Sequence, residues 1–154
     1  MSDEREDLAE ALLAASRALV GIAIRGLGAV APDVTLAQHR VLLLLHDRDE
    51  LSVNDIAHLL EVNQSNASRH ASRLTELGLV ARETAPHDAR AVALRLTPAG
   101  RARVKAVKQA RLAEIRSVLS RMAVADVRRV AAALRAFEAA ADVPAAHEVG
   151  AVVH

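Results

Sequence analysis

The segment Asn63–Gly78, NQSNASRHASRLTELG, constrains the fold more than any other stretch of the chain. It carries a helix start signal and a stop signal. The Asn63 side chain can accept from the free amides of a first helical turn. Gly78 stands where a helix closes in the left-handed conformation, which is cheapest for glycine. At about 100° per residue, Ala67, Ala71, Leu74 and Leu77 fall on one face, and Ser65, Ser68, Arg69, Ser72 and Arg73 on the other. The apolar face is small enough for close packing. The polar face holds short hydroxyls and two guanidinium groups, where a helix facing only water more often carries Glu and Lys. Short side chains let the backbone approach a groove, and arginine can donate two bonds to the O6/N7 edge of guanine. The segment reads as a DNA recognition helix. Taken alone, a solvated amphipathic helix accounts for it equally well.

The flanking residues favour the first reading. Upstream, Leu51–Leu60 reads as another short helix, capped by Ser52, with Asp55 completing a capping box. Ile56, Leu59 and Leu60 form its apolar side, and Glu61-Val62-Asn63 makes a tight turn to the next helix. That spacing is helix-turn-helix spacing. Downstream, Leu79–Thr84 and Ala91–Thr97 read as strands, with Val92, Leu94 and Leu96 alternating against Ala91, Ala93 and Arg95. Ala85–Arg90 between them is a turn-rich loop ending in a cation. Two short helices followed by a β-hairpin make a winged helix-turn-helix.

The rest of the chain reads as helix. Residues 5–25 carry Leu8, Leu12, Ala15, Leu19 and Ile22 at alternating intervals of four and three, a seam that needs a helical partner. Gly26 and Gly28 are expected to end that helix. A second helix, about 35–48, is apolar nearly all round through Val41–Leu45 and should be buried on several sides. Thr97-Pro98 is a clean helix start. The helix it opens is basic early, at Arg101, Arg103, Lys105 and Lys108, and striped later by Leu112, Ile115, Leu119 and Met122. A last helix, about Val124–Ala141, is striped by Val127, Val130, Leu134 and Phe137, and the tail from Asp142 reads as linker. The expected fold is mainly α: one domain over 1–154, with a winged helix-turn-helix core at about 35–97 and dimerisation helices at about 5–25 and 98–141. Three striped helices outside the winged unit have little to pack on in a monomer. A closed two-fold homodimer covers them.

The whole stretch also resembles the multiple-antibiotic-resistance-regulator (MarR) family of bacterial transcription factors. The matching pieces, in order, are QSNASRHASRLTELGLV, the wing HDARAVALRLT with its Asp-x-Arg, and TPAGR opening the next helix. The resemblance covers nearly the whole chain. It implies a terminal-helix dimer. It implies that the wing Arg90 enters the minor groove with Asp88 orienting it by an ion pair, a role a cation near a wing tip suits physically. It also implies a pocket for a small anionic aromatic effector between the dimerisation helices and the winged unit, for which Arg17, His39 and Leu43 are the candidates. Relatives commonly carry an aromatic residue near His39, so histidine there departs from the pattern.

The candidate DNA-binding set is therefore Ser52, Asn54, Gln64, Ser65, Asn66, Ser68, Arg69, Arg73, Asp88 and Arg90. The first residues of the recognition helix should reach base edges, Arg73 only phosphate. Ser52 and Asn54 read equally well as plain capping residues. The net charge of +1 does not itself mark a DNA binder. Its distribution does: Val62–Lys105 holds eight basic residues against three acidic ones, while Asp3, Glu4, Glu6, Asp7 and Glu10 crowd the N-terminus.

Other functions are disfavoured. The chain has no cysteine, which removes disulfides, thiolate metal sites and thiol redox chemistry. None of its seven histidines pairs with another at metal-ligand spacing within a helix, so no metal and no cofactor is expected. No nucleophile–base pair, phosphate loop or paired-acid motif points to an enzyme. The N-terminus lacks a signal-peptide pattern, and Val41–Leu45 is too short to span a membrane, so a cytoplasmic location without a membrane partner is expected. The reading is a dimeric, sequence-specific repressor of a pseudo-palindromic operator, with DNA affinity modulated by a small ligand. The alternatives are a ligand-insensitive DNA-organising protein and a helical module that binds protein.

Overall fold

The computed structural model describes residues 2–85 and 88–141, with side chains throughout except those of Ser2 and residues 85–91. The elements run α1 (Ser2–Val30), α2 (Leu36–Arg48), β1 (Glu50–Leu51), α3 (Val53–Leu59), α4 (Gln64–Glu76), β2 (Val80–Ala85), β3 (Asp88–Leu96), α5 (Pro98–Leu119) and α6 (Val124–Ala140). The tail from Asp142 lies outside the described residues.

Local chemistry sets most boundaries. Thr35 caps α2 in a reciprocal box with Gln38, accepting from its amide at 3.2 Å while the Thr35 amide donates to Gln38 Oε1 at 2.9 Å. Ser52 and Asp55 form the same device at α3. Thr97 accepts from the Gly100 amide at 3.0 Å to start α5, with Pro98 in the first turn. The α3–α4 turn passes through Glu61 at φ 54°, a left-handed position filled without glycine.

Three sequence expectations are corrected by the structure. The first helix does not stop at Gly26 and Gly28; α1 runs on to Val30. Gly26 is a contact notch instead. A Cβ there would lie 2.7 Å from Arg111 Cγ and 3.3 Å from the Arg111 amide nitrogen, so glycine lets α1 and α5 cross closely. Leu51 is not helical. It pairs with Leu94 as Glu50 pairs with Arg95, so β1 adds a third strand and the sheet order is β1-β3-β2, antiparallel. Asp88 and Arg90 also leave the expected loop: their backbone belongs to β3, which pairs with β2 from Val80↔Leu96 out to Ala85↔Asp88. Pro86 and His87 lie outside the described residues.

The core gathers α2, α3, α4, the sheet and the start of α5 around Leu42, Leu45, Ile56, Leu74, Leu94 and Val107, all fully buried. Ala67 and Ala71 have no exposed surface, so α4 packs closely against its neighbours. Val92 is exposed because the β2–β3 ribbon outruns this core. Only the last third of α1 joins the packing, through Ile22, Ala23 and Leu27, with an Arg25–Glu114 ion pair at 2.8 Å tying α1 to α5. The remainder of α1 exposes Leu8, Leu13 and Leu19, and α6 buries no residue, leaving Leu134 and Phe137 about half exposed. By length and apolar content Asp3–Val30 could cross a membrane, which the shorter Val41–Leu45 could not. The stripe it shares with α6 is equally what a helical partner would cover.

Candidate nucleic-acid interface

Helix α4 presents the polar face its sequence calls for. Asn63 Oδ1 accepts from the Asn66 amide and from Ser65 Oγ, both at 2.8 Å, closing the N-terminus. Gly78, at φ +70°, closes the other end. Gln64, Ser65, Arg69 and Arg73 are exposed, and Asn66 and Ser68 half-buried. Arg69 donates to Asn66 Oδ1, and Arg73 pairs with Glu76 at 3.2 Å. Both contacts sit in solvent, where such pairs are worth little and exchange readily for a phosphate or a base edge. His70 is half-buried; burial, then the Arg69 charge, holds it below the usual histidine range.

Helix α3 sits beside α4. The Ser52 hydroxyl donates to Asp55 Oδ2 at 2.7 Å and accepts from the Asp55 amide at 3.1 Å. These bonds hold the Asp55 carboxyl below its ordinary range, and they occupy Ser52 as a cap. Asn54 is exposed at the first turn of α3. One residue that sequence reasoning missed belongs with this face: Arg82 of β2 is exposed and donates to Ser72 Oγ of α4 at 2.8 Å, bridging wing and helix. Its signal was the cation two residues into the first wing strand. The side chains of Asp88 and Arg90 lie outside the described ones.

The C-terminal end of α4 is fastened to α5. Thr97 Oγ1 donates to the Gly78 carbonyl at 2.7 Å, and the Thr97 amide to the Leu79 carbonyl at 3.1 Å. A Cβ on Gly100 would lie 2.1 Å from the Leu79 carbonyl oxygen, so only glycine fits against the α4–β2 turn. At the other side, Asp33 holds Arg103 at 2.6 Å, and that bond lowers the Asp33 carboxyl below its ordinary value.

A cavity of about 520 Å³ opens between α2 and α5. Leu43, Ala102 and Val104 form its apolar wall. Arg101, Lys105, Lys108 and Arg111 supply positive charge, His39 and His46 face them from α2, and Asp47 is its one carboxylate. Two of the three ligand-site candidates, His39 and Leu43, thus come together here; Arg17 is exposed on α1 and is not part of the lining. His39 is 4% exposed and its Nδ1 has no partner. Burial, then the Arg111 charge, pushes its pKa down to about 4. Part of the basic rim was visible as Arg101, Lys105 and Lys108 on one helix; the sequence reading did not name Arg111 or connect the rim to α2.

Known proteins share this architecture. The crystal structure of Rv1404 from Mycobacterium tuberculosis superposes with a TM-score of 0.82 at 32% identity, covering 92% of this chain and 97% of that one. Residues 33–91 match the MarR family model. The chain belongs to the MarR family. The structure of an S. aureus MepR mutant bound to an oligodeoxyribonucleotide has the same fold, with a TM-score of 0.68 at 22% identity over 86% of this chain and 96% of that one. The uncharacterized HTH-type transcriptional regulator YdgJ of Bacillus subtilis is 30% identical over 76 residues, 49% of this chain; the chain spans about half of YdgJ, 46%. MarR-family proteins are transcriptional regulators, not enzymes.

Proposed function

We propose that this MarR-family chain binds double-stranded DNA as a homodimer and represses transcription at a pseudo-palindromic operator, with a small ligand loosening its grip. The observation that carries the reading is the face of α4: Gln64, Ser65, Arg69 and Arg73 stand exposed on a helix whose other side is fully buried. That helix enters the major groove. Gln64, Ser65, Asn66, Ser68 and Arg69 contact base edges, while Arg73 and Arg82 contact phosphate. Asn54 contacts phosphate from α3; Ser52 contributes mainly through its cap. Arg90, with Asp88, enters the minor groove from the wing. The fold it shares with the MepR mutant is seen in that protein on an oligodeoxyribonucleotide, which agrees with this docking.

The dimer forms through the exposed stripes of α1 and α6. It sets the two α4 helices about one helical turn of DNA apart, roughly 34 Å. As a DNA-binding regulator the protein works in the cytoplasm. The ligand acts through a difference in affinity for the DNA-competent and incompetent dimer arrangements.

The test is fluorescence-anisotropy binding to the DNA upstream of the chain's own gene, beside a scrambled duplex, over a salt series. Selective binding that weakens steeply with salt is expected. Equal affinity for both duplexes would replace the operator reading with that of a DNA-organising protein. No binding at low salt would overturn the DNA reading.

A further inference from the structure

The cavity between α2 and α5 has a charge and a wall chemistry that specify its occupant. Arg101, Lys105, Lys108 and Arg111 face Asp47 alone, and among the described residues none of the four has a carboxylate within ion-pair distance. Four cations held around one small volume repel one another, and an anion of charge two or more relieves that repulsion. Two polar atoms buried in the same lining residues, His39 Nδ1 and Arg111 Nε, lack partners. A buried polar group left unpaired is costly, and a ligand oxygen that accepts from the Arg111 Nε–H removes that cost. The lining is rich in charge rather than in rings: its only rings are the two imidazoles, and the chain has no Trp or Tyr and one Phe, on α6.

We infer that this cavity is a binding site for a compact, non-aromatic anion carrying two or more negative charges, either phosphorylated or polycarboxylic. Arg111 and His39 meet its inner end, and Lys105, Lys108 and Arg101 close around its outer charges. This departs from the anionic aromatic that the family resemblance implies. The site is defined by the cavity alone; its effect on operator binding rests on the function proposed above. That effect is transmitted through α5, which carries the cations and leads at its N-terminus into the Thr97 contacts with Gly78 and Leu79.

Isothermal titration calorimetry on the full chain without DNA tests the site, at matched ionic strength, with pyrophosphate, citrate and benzoate as probes. One pyrophosphate or one citrate per chain is expected, bound at least about tenfold tighter than benzoate. Tighter pyrophosphate assigns a phosphorylated ligand, and tighter citrate a polycarboxylic one. The Lys105→Gln, Lys108→Gln double variant should weaken binding at least about tenfold. Both side chains are exposed and the change relieves repulsion, so its melting temperature without anion should not fall. Binding should also shift the His39 imidazole resonances in the NMR spectrum, and not those of His58. Failure of both polyanions to bind, equal benzoate affinity, or an undiminished affinity in the double variant would overturn the site. DNA affinity is read separately by anisotropy. Normal operator binding with no calorimetric signal rejects the site and keeps the regulator; anion binding without any DNA binding rejects the regulator and keeps the site.

Discussion

His39 makes stability depend on pH through one side chain. Its ordinary pKa of 6.5 is pushed to about 4 in the folded chain by burial and by the Arg111 charge. The unfolded chain therefore takes up a proton between those values that the folded chain excludes. The contribution is fully present above pH 6.5 and is lost as pH falls toward 4, amounting to up to about 3 kcal/mol. Half-buried His70, shifted the same way, adds the same sign. Urea unfolding at pH 7 and pH 4.5 should show the loss, and His39→Gln should remove most of it. Asp33 and Asp55, whose carboxyls are also held low, act in the same sense at lower pH, losing stability as pH falls through and below the ordinary carboxylate range. In the proposed DNA complex, two arginines of α4 separate by role. Arg69→Ala should cost about 1–3 kcal/mol on the operator and relax base preference. Arg73→Ala should weaken operator and scrambled duplexes alike and reduce the salt slope by about one. Anisotropy on both duplexes distinguishes these outcomes.

At the scale of elements, α4 is held by its ends as much as by its buried face. Asn63→Ala removes the side-chain acceptor for the Asn66 amide and should cost about 1 kcal/mol. Gly78→Ala forces a Cβ into φ +70° and should cost about 1–2 kcal/mol, although nothing lies near enough to clash. Leu74→Ala, at a fully buried position, should cost about 2–5 kcal/mol. Thermal or urea denaturation ranks the three. These features were legible in the sequence because their causes are local: Ser52, Asn63 and Thr97 cap the residues that follow them, and Gly78 closes the helix it ends. Features caused by distant residues were not. Gly26 reads as a helix breaker until Arg111 is seen against it. The two-residue β1 has no periodicity of its own and exists through its pairing with β3. Arg82 and the cationic cavity depend on which helix or strand comes to lie beside them. Alternation alone suggested that Val92 sits with Leu94 and Leu96 in the core, yet the ribbon carries Val92 past the core's edge.

The whole molecule is a small, dense reading unit with long helices reaching beyond it. Leu8, Leu13, Leu19, Leu134 and Phe137 are about half exposed, too much apolar surface at both chain ends to leave to water. Replacing Leu134 with Arg and Phe137 with Arg together should convert a dimer to a monomer in light scattering and abolish tight operator binding, since one half-site alone gives up the second recognition helix. The winged unit should stay folded in that variant, because α6 contributes no buried residue. A dimer that survived both charges would place the interface elsewhere.

Gly100 and Thr97 give the α4–α5 junction the character of a pivot. Helix α5, at 22 residues, is a rod about 33 Å long, clamped at one end to the carbonyls of Gly78 and Leu79. A sideways push of about 3 Å at its far end, where Arg25–Glu114 ties it to α1, corresponds to a swing of about 5° at the clamp, small enough to leave the core intact. The clamp has no slack, because the Leu79 carbonyl already occupies the space that a Cβ at position 100 would need. The swing is therefore delivered to α4 as a change of heading, and a rigid pair of such levers would throw its two reading heads out of register with the DNA.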